Sequence, residues 1–125
     1  VSPRAVGATQ HELSRIGLLA TLSGETLARL AQNMVREDIP AGAGVVSEGE
    51  EGDRFYVVLS GMLAVSQRSR GAQSVLRPGD YFGEVALAMD VPRTATVRAL
   101  TPVTVASCDR ETFDEFIRPL FADDV

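Results

Sequence analysis

Reactive side chains are scarce in this sequence, which has one cysteine, Cys108, and one histidine, His11. A lone cysteine excludes an internal disulfide and suits a reducing, cytosolic setting. One Cys and one His are too few ligands for a conventional zinc site. They also make a poor catalytic pair, because neither stands in a segment that would activate a thiol. Cys108 ends an apolar, strand-like run and reads as a small core residue. Basic excess is missing too: the formal net charge is −5, whereas a chain that holds nucleic acid is expected to carry a basic face. The acidic balance is read as solubility. Long apolar runs are absent. The segment Phe55-Tyr56-Val57-Val58-Leu59 is among the longest, far short of the roughly 20 residues that span a bilayer. No apolar stretch near the start precedes a small-residue cleavage site, so a signal peptide is not expected. The first residue is Val1 rather than Met, which suggests a fragment of a longer protein.

What is present is an ordinary globular composition. The 125 residues are 45% hydrophobic and 23% charged, enough for one domain around one core. From Ser23 onward Leu27, Leu30, Ala31 and Met34 follow the i, i+3, i+4, i+7 spacing of one helix face. Ser23 suits the N-cap, and Glu25 the first turn. His11 to Ile16 is expected as a shorter helix, with 17–22 a tight apolar connector. From Val35 to Cys108 the pattern changes to strands, with runs at Val45-Val46, Phe55 to Leu59, Met62 to Val65, Ser74 to Leu76, Thr96 to Leu100 and Val103 to Ser107. Glycine-rich turns separate these runs, which points to a sandwich or barrel rather than a parallel α/β sheet. Gly61 between two apolar runs implies a sharp reversal or a close backbone approach. Asp109 can cap a last helix, whose core face is Phe113, Phe116, Ile117 and Leu120 and which Pro119 should end. The domain boundaries are therefore helices over about 9–34, strands over about 35–108 and a helix over about 109–120. Together they form a single domain spanning 1–125.

One stretch breaks the strand pattern: 82–97, reading FGEVALAMDVPRTATV. It opens after a glycine as a short helix, whose first amides are unpaired and favour an anion. Gly83 permits a close backbone approach, and Glu84 can accept from ribose hydroxyls. Pro92 stiffens the approach to Arg93, whose guanidinium can fork two phosphate oxygens. Thr94 adds a hydroxyl and, with Ala95, backbone donors. Taken singly, each residue has a plainer reading: Gly83 as a turn glycine, Glu84 with Arg93 as a surface ion pair, Thr94 as a β-former.

Taken together, FGEVAL and PRTATV resemble the phosphate-binding cassette of the cyclic nucleotide-binding domains found in catabolite activator protein, kinase regulatory subunits and nucleotide-gated channels. The segments 48–58, 60–61 and 76–81 are similar to the turn, strand and cassette lead-in of that family, so the likeness runs from about Leu18 to Leu120. It implies an α+β, mainly β fold: an eight-stranded β-roll of jelly-roll type, with flanking N- and C-terminal helices and a short cassette helix. It further implies a non-catalytic sensor of cAMP or cGMP, with cAMP favoured, which transmits binding to an effector domain outside this chain. Glu84 would then bind the ribose 2′-OH and Arg93 the cyclic phosphate. Gly83, Thr94 and Ala95 would supply backbone donors, with Val85 beside them in the cassette. Val65, Val75 and Leu76 would form the wall against the base or serve as plain core. Asp53 and Arg110 resemble an ion pair that joins roll and last helix in some members. The family usually adds a longer C-terminal lid helix, whereas this sequence stops at Val125. Neither a cofactor nor a metal is expected, and this segment should contact neither nucleic acid nor membrane. The expected location is the cytoplasm, with tethering to a membrane protein left open. Two other readings stand beside this one: a degenerate, non-binding domain kept for protein contacts, and a cupin-like enzyme. The second is disfavoured because His11 lies outside the strands.

Overall fold

A computed structural model describes residues 8–122; the features noted at Val1 and at 123–125 lie outside them. The helical start comprises α1, Gln10–Leu13, a 3₁₀ turn at Gly17–Leu19 and α2, Gly24–Gln32. Thr9 and Glu12 close α1 with a reciprocal capping box. Ser23 caps α2 through the Thr26 amide at 3.1 Å, and Leu27, Leu30, Ala31 and Met34 are buried.

Eight strands follow: β1 Val35–Ile39, β2 Gly44–Val46, β3 Arg54–Ser60, β4 Leu63–Gln67, β5 Gly71–Leu76, β6 Tyr81–Phe82, β7 Thr96–Ala99 and β8 Val103–Asp109. The short helix α3, Glu84–Met89, sits between β6 and β7. Two antiparallel four-stranded sheets result, ordered β1-β8-β3-β6 and β2-β7-β4-β5, and the fold is the β-roll that the sequence implied. Two strands carried no apolar run. β1 is VREDI, exposed until Ile39, and charge suits its place at a sheet edge. β6 has only two residues. Gly61 has φ +84, and a Cβ there would strike the Pro102 carbonyl and Val103, so both reasons offered for a glycine hold.

The chain returns to helix in three joined pieces: α4 Arg110–Thr112, a π turn Phe113–Ile117, and α5 Arg118–Ala122. Asp109 accepts from the Thr112 amide at 2.9 Å, making the expected cap. Pro119 does not end the helix, as the sequence suggested it should. It falls in the first turn of α5, where a missing N–H costs little, and the widened turn before it changes the hydrogen-bond ladder from i−4 to i−5.

Strand β3 is buried on both faces because the first sheet is covered on both sides. Phe55 and Val57 join α1, α2 and the C-terminal helix in one apolar cluster. Tyr56 and Val58 point into the roll, where Ile39, Leu63, Phe82, Val97 and Val105 fill a second. Cys108 is fully buried in the first cluster. Burial pushes its thiol up to about 12, which leaves no thiolate at neutral pH.

Candidate functional site

The mouth of the roll holds a cavity of about 230 Å³. Its walls come from β5, β6, the start of α3 and the segment leading into β7. Gly83, Glu84, Val85, Arg93, Thr94, Ala95, Val65 and Leu76 all line it, so eight of the nine residues singled out in the sequence meet there. Val75 does not. It pairs with Ala64 across the β4–β5 ladder and faces outward. Strand alternation puts its neighbours Ser74 and Leu76 on the cavity side instead. Val46, Ser74, Tyr81, Phe82, Ala86 and Val97 complete the lining and were not singled out. For Ser74 the signal was available, since it stands two residues from Leu76 on one strand.

Arg93 is the chemical centre of the cavity. Its residue is only 7% exposed, and among the described residues its guanidinium forms no ion pair. Nη1 donates to the Gly83 carbonyl at 3.2 Å and Nη2 to the Arg54 carbonyl at 3.0 Å. The guanidinium carbon lies 5.9 Å from the centre of the Tyr56 ring, itself stacked on Phe82 at 4.7 Å. Burial lowers the Arg93 pKa and is opposed by Tyr56, Asp53 and Glu84. A surface ion pair between Glu84 and Arg93 is therefore not what the structure contains.

The turn between β2 and β3 holds Arg93 in place. The Arg93 amide donates to the Glu50 carbonyl and the Gly49 amide to the Arg93 carbonyl, each at 2.8 Å. A side chain at Gly52 would run into Nε and Cζ of Arg93, so this turn needs a glycine for space. Gln67 Nε2 donates to the Thr94 carbonyl at 2.9 Å, and the Glu48 amide to Thr96 Oγ1 at 3.0 Å.

Gly83, at φ +93, is the N-cap of α3 and brings no side-chain cap. The first amides of this helix therefore lack acceptors within it. Tyr81 and Glu84 both line the cavity, and the Tyr81 pKa is pushed up by desolvation first and then by the charges of Glu84 and Asp80. The arrangement offers one buried cation without an anion, free amides, a carboxylate acceptor and apolar walls. That set suits a small organic anion carrying hydroxyls.

The Asp53–Arg110 pair is absent. Arg110 Nη2 lies 3.6 Å from Asp90 Oδ1 instead, and its Nη1 donates to the Leu87 carbonyl at 3.3 Å. Arg110 opens α4 against the end of α3, where Asp90, at φ +53, presents its carboxylate. Asp53 acts instead by its charge on Arg93 and Tyr56.

Known proteins share this architecture. The chain is 40% identical over 107 residues to a cAMP-dependent protein kinase regulatory subunit of Debaryomyces hansenii, covering 86% of this chain and 24% of that protein. It is 35% identical over 114 residues to the cGMP-dependent protein kinase egl-4 of Caenorhabditis briggsae, covering 86% and 15%. The chain thus spans about a quarter or less of the length of these curated relatives. The solved structure of cAMP-bound PfPKA-R superimposes with a TM-score of 0.87 at 28% identity, covering 91% of this chain and 40% of that one. Among the described residues no helix is long and apolar enough to cross a membrane. A family profile for the cyclic nucleotide-binding domain matches residues 36–119, which take in both sheets, α3 and the start of the last helix. With that match added to the geometry, the chain belongs to the cyclic nucleotide-binding domain family, a family of regulatory rather than catalytic domains.

Proposed function

We propose that the cavity binds a cyclic nucleotide, cAMP in preference to cGMP, and that the domain reports its presence to an effector outside these residues. The observation that carries this reading is Arg93: a buried guanidinium held by two carbonyls and a ring, with no carboxylate paired to it. A buried charge without a counter-ion is unfavourable, and a cyclic phosphate supplies both the charge and a pair of oxygens that a guanidinium can fork. Glu84, at the start of α3 in the cavity lining, takes the ribose 2′-OH. Val85, Thr94 and Ala95 border the phosphate, while Val65 and Leu76 face the base, joined by Ser74 in place of Val75. Support for cAMP comes from the cAMP-dependent relative being the more similar of the two, 40% against 35% identical, and from a cAMP-bound solved structure with the same fold. The effector is of kinase type on the same ground, and the setting is the cytoplasm, where a single unpaired cysteine is ordinary.

A domain kept only for protein contacts is the rival. The observation in its favour is that Arg93 already has two partners of its own. Calorimetric titration of the purified chain with cAMP and with cGMP, repeated on Arg93→Ala, decides between them. Binding by the wild type that falls by roughly two to three decades in the variant is expected. No heat with either nucleotide, or equal affinity in both proteins, would sink the proposed site.

A further inference from the structure

Arg110 and Arg118 stand eight positions apart on the C-terminal helix, yet both guanidinium groups reach one place. The Leu87 carbonyl accepts from Arg110 Nη1 at 3.3 Å and from Arg118 Nη2 at 3.0 Å. The Ala88 carbonyl accepts from Arg118 Nη1 at 3.2 Å. In an uninterrupted α-helix, residues eight apart point about 80° away from each other. Here the π turn intervenes, with the Arg118 amide bonded to the Phe113 carbonyl five residues back. One residue is absorbed, and the two arginines stand as residues seven apart would, about 20° from alignment. Arg118 is held further by Asp114 Oδ1 at 2.9 Å from its Nε and by the Phe113 ring 5.6 Å from its Cζ.

The acceptors matter as much as the donors. α3 has six residues, too few to be stable alone, and its last carbonyls have no donor within the helix. Val91 and Asp90 amides satisfy Ala86, while the two arginines satisfy Leu87 and Ala88. At its other end, Arg93 donates to the carbonyl of the N-cap, Gly83. The short helix that carries Glu84, Val85 and Ala86 to the cavity is thus held between arginines at both ends.

We propose that Arg110 and Arg118 are positioning residues of the nucleotide site, fixing α3 through the Leu87 and Ala88 carbonyls, and that the π turn exists to bring them into register. The effect on affinity rests on the nucleotide-binding reading; the grip on α3 does not. Because the ligand and the two arginines order the same six residues, each strengthens the other's hold, and linkage makes the effect reciprocal.

The test uses the whole chain with Arg118→Gln and Arg118→Lys, read by cAMP calorimetry and by amide hydrogen exchange without nucleotide. Loss of charge-assisted bonds to two carbonyls in Arg118→Gln should weaken cAMP about tenfold. The exchange of the α3 amides should quicken by about the same factor while β3 and β8 keep their rates. Arg118→Lys, which keeps the charge but not the fork, should fall between. Wild-type α3 exchange in Arg118→Gln overturns the proposal, as does a uniform quickening across α3, β3 and β8, which would make Arg118 a residue of global stability. Faster α3 exchange with undiminished cAMP affinity also overturns it, since the helix would then be held without serving the site. Should the wild type not bind cAMP, the nucleotide reading falls alone, and the exchange arm still decides whether α3 is gripped.

Discussion

The two apolar clusters share a strand but not a character. On the helical side, Phe55 meets Phe113 at 5.5 Å and Tyr81 at 5.8 Å, and Phe121 closes on both Tyr81 and Phe113. Helices cover this cluster. Inside the roll, the Tyr56–Phe82 pair stands at the mouth, next to a buried cation and an open cavity. Alternate residues of β3 feed the two sides, so one strand belongs at once to a sealed core and to a binding site. Stability and recognition thus share a backbone while using different side chains, and substitutions should separate them.

The largest effect is expected on the sealed side. Phe113 is fully buried against Phe55, and Phe113→Ala should cost about 3–5 kcal/mol through lost burial and a cavity. Urea unfolding followed by circular dichroism measures this directly, and a loss under about 1 kcal/mol would mean the helices are not part of the core. Arg93→Ala, on the open side, should behave in the opposite way. Its nucleotide affinity should fall by about 2–5 kcal/mol, while its unfolding free energy should change far less, because removing a buried unpaired charge offsets the loss of its bonds to the Gly83 and Arg54 carbonyls. An Arg93 variant that loses stability as Phe113→Ala does would erase the distinction between the two sides.

The sequence revealed much of this division, unevenly. The periodicity of Leu27, Leu30, Ala31 and Met34, and of Phe113, Phe116 and Ile117, identified the helical side because burial follows the helix repeat. The cassette was legible because its glycine, carboxylate, proline and arginine lie within about a dozen residues. What escaped depends on long-range geometry. Val75 is the exception: adjacent strand residues face opposite sides, so its turning away from the Leu76 face was readable locally. Asp53 and Arg110 are apart because the end of α3 offers Arg110 nearer acceptors. Pro119 reads as a stop in any local rule, and only the π turn makes it harmless. Tyr56 looked like a strand aromatic; its place under Arg93 comes from packing between segments far apart in sequence.

Within the open side, Glu84 should have a smaller effect than Arg93. If its carboxylate accepts the ribose 2′-OH, Glu84→Ala should weaken cAMP by about 1.5–3 kcal/mol, as expected for a lost bond to a charged group. A 2′-deoxy analogue should bind the two proteins nearly equally. Parallel titrations provide the test. Equal losses for both ligands would mean that Glu84 acts through the start of α3 rather than on the ribose.

The smallest effect lies where the two sides join. Asp109 ends β8 and caps α4. Hydrogen bonds from the Thr112 backbone and side chain hold its carboxyl below the ordinary value against a small opposing desolvation. A folded-state pKa below the unfolded one means that the ionised cap stabilises the protein above the unfolded value, near pH 4. That contribution fades as pH falls through the folded value. Asp109→Asn keeps an acceptor for the Thr112 amide but cannot titrate. It should cost no more than about 1 kcal/mol at pH 7, mainly through lost attraction to the helix dipole, and it should remove part of the acid sensitivity. Urea midpoints measured from pH 7 down to pH 2 test this: the gap between wild type and variant should narrow below about pH 4. A constant gap across that range would show that the charge of Asp109 adds nothing to its hydrogen bond, and that acid unfolds the helical side through other carboxylates.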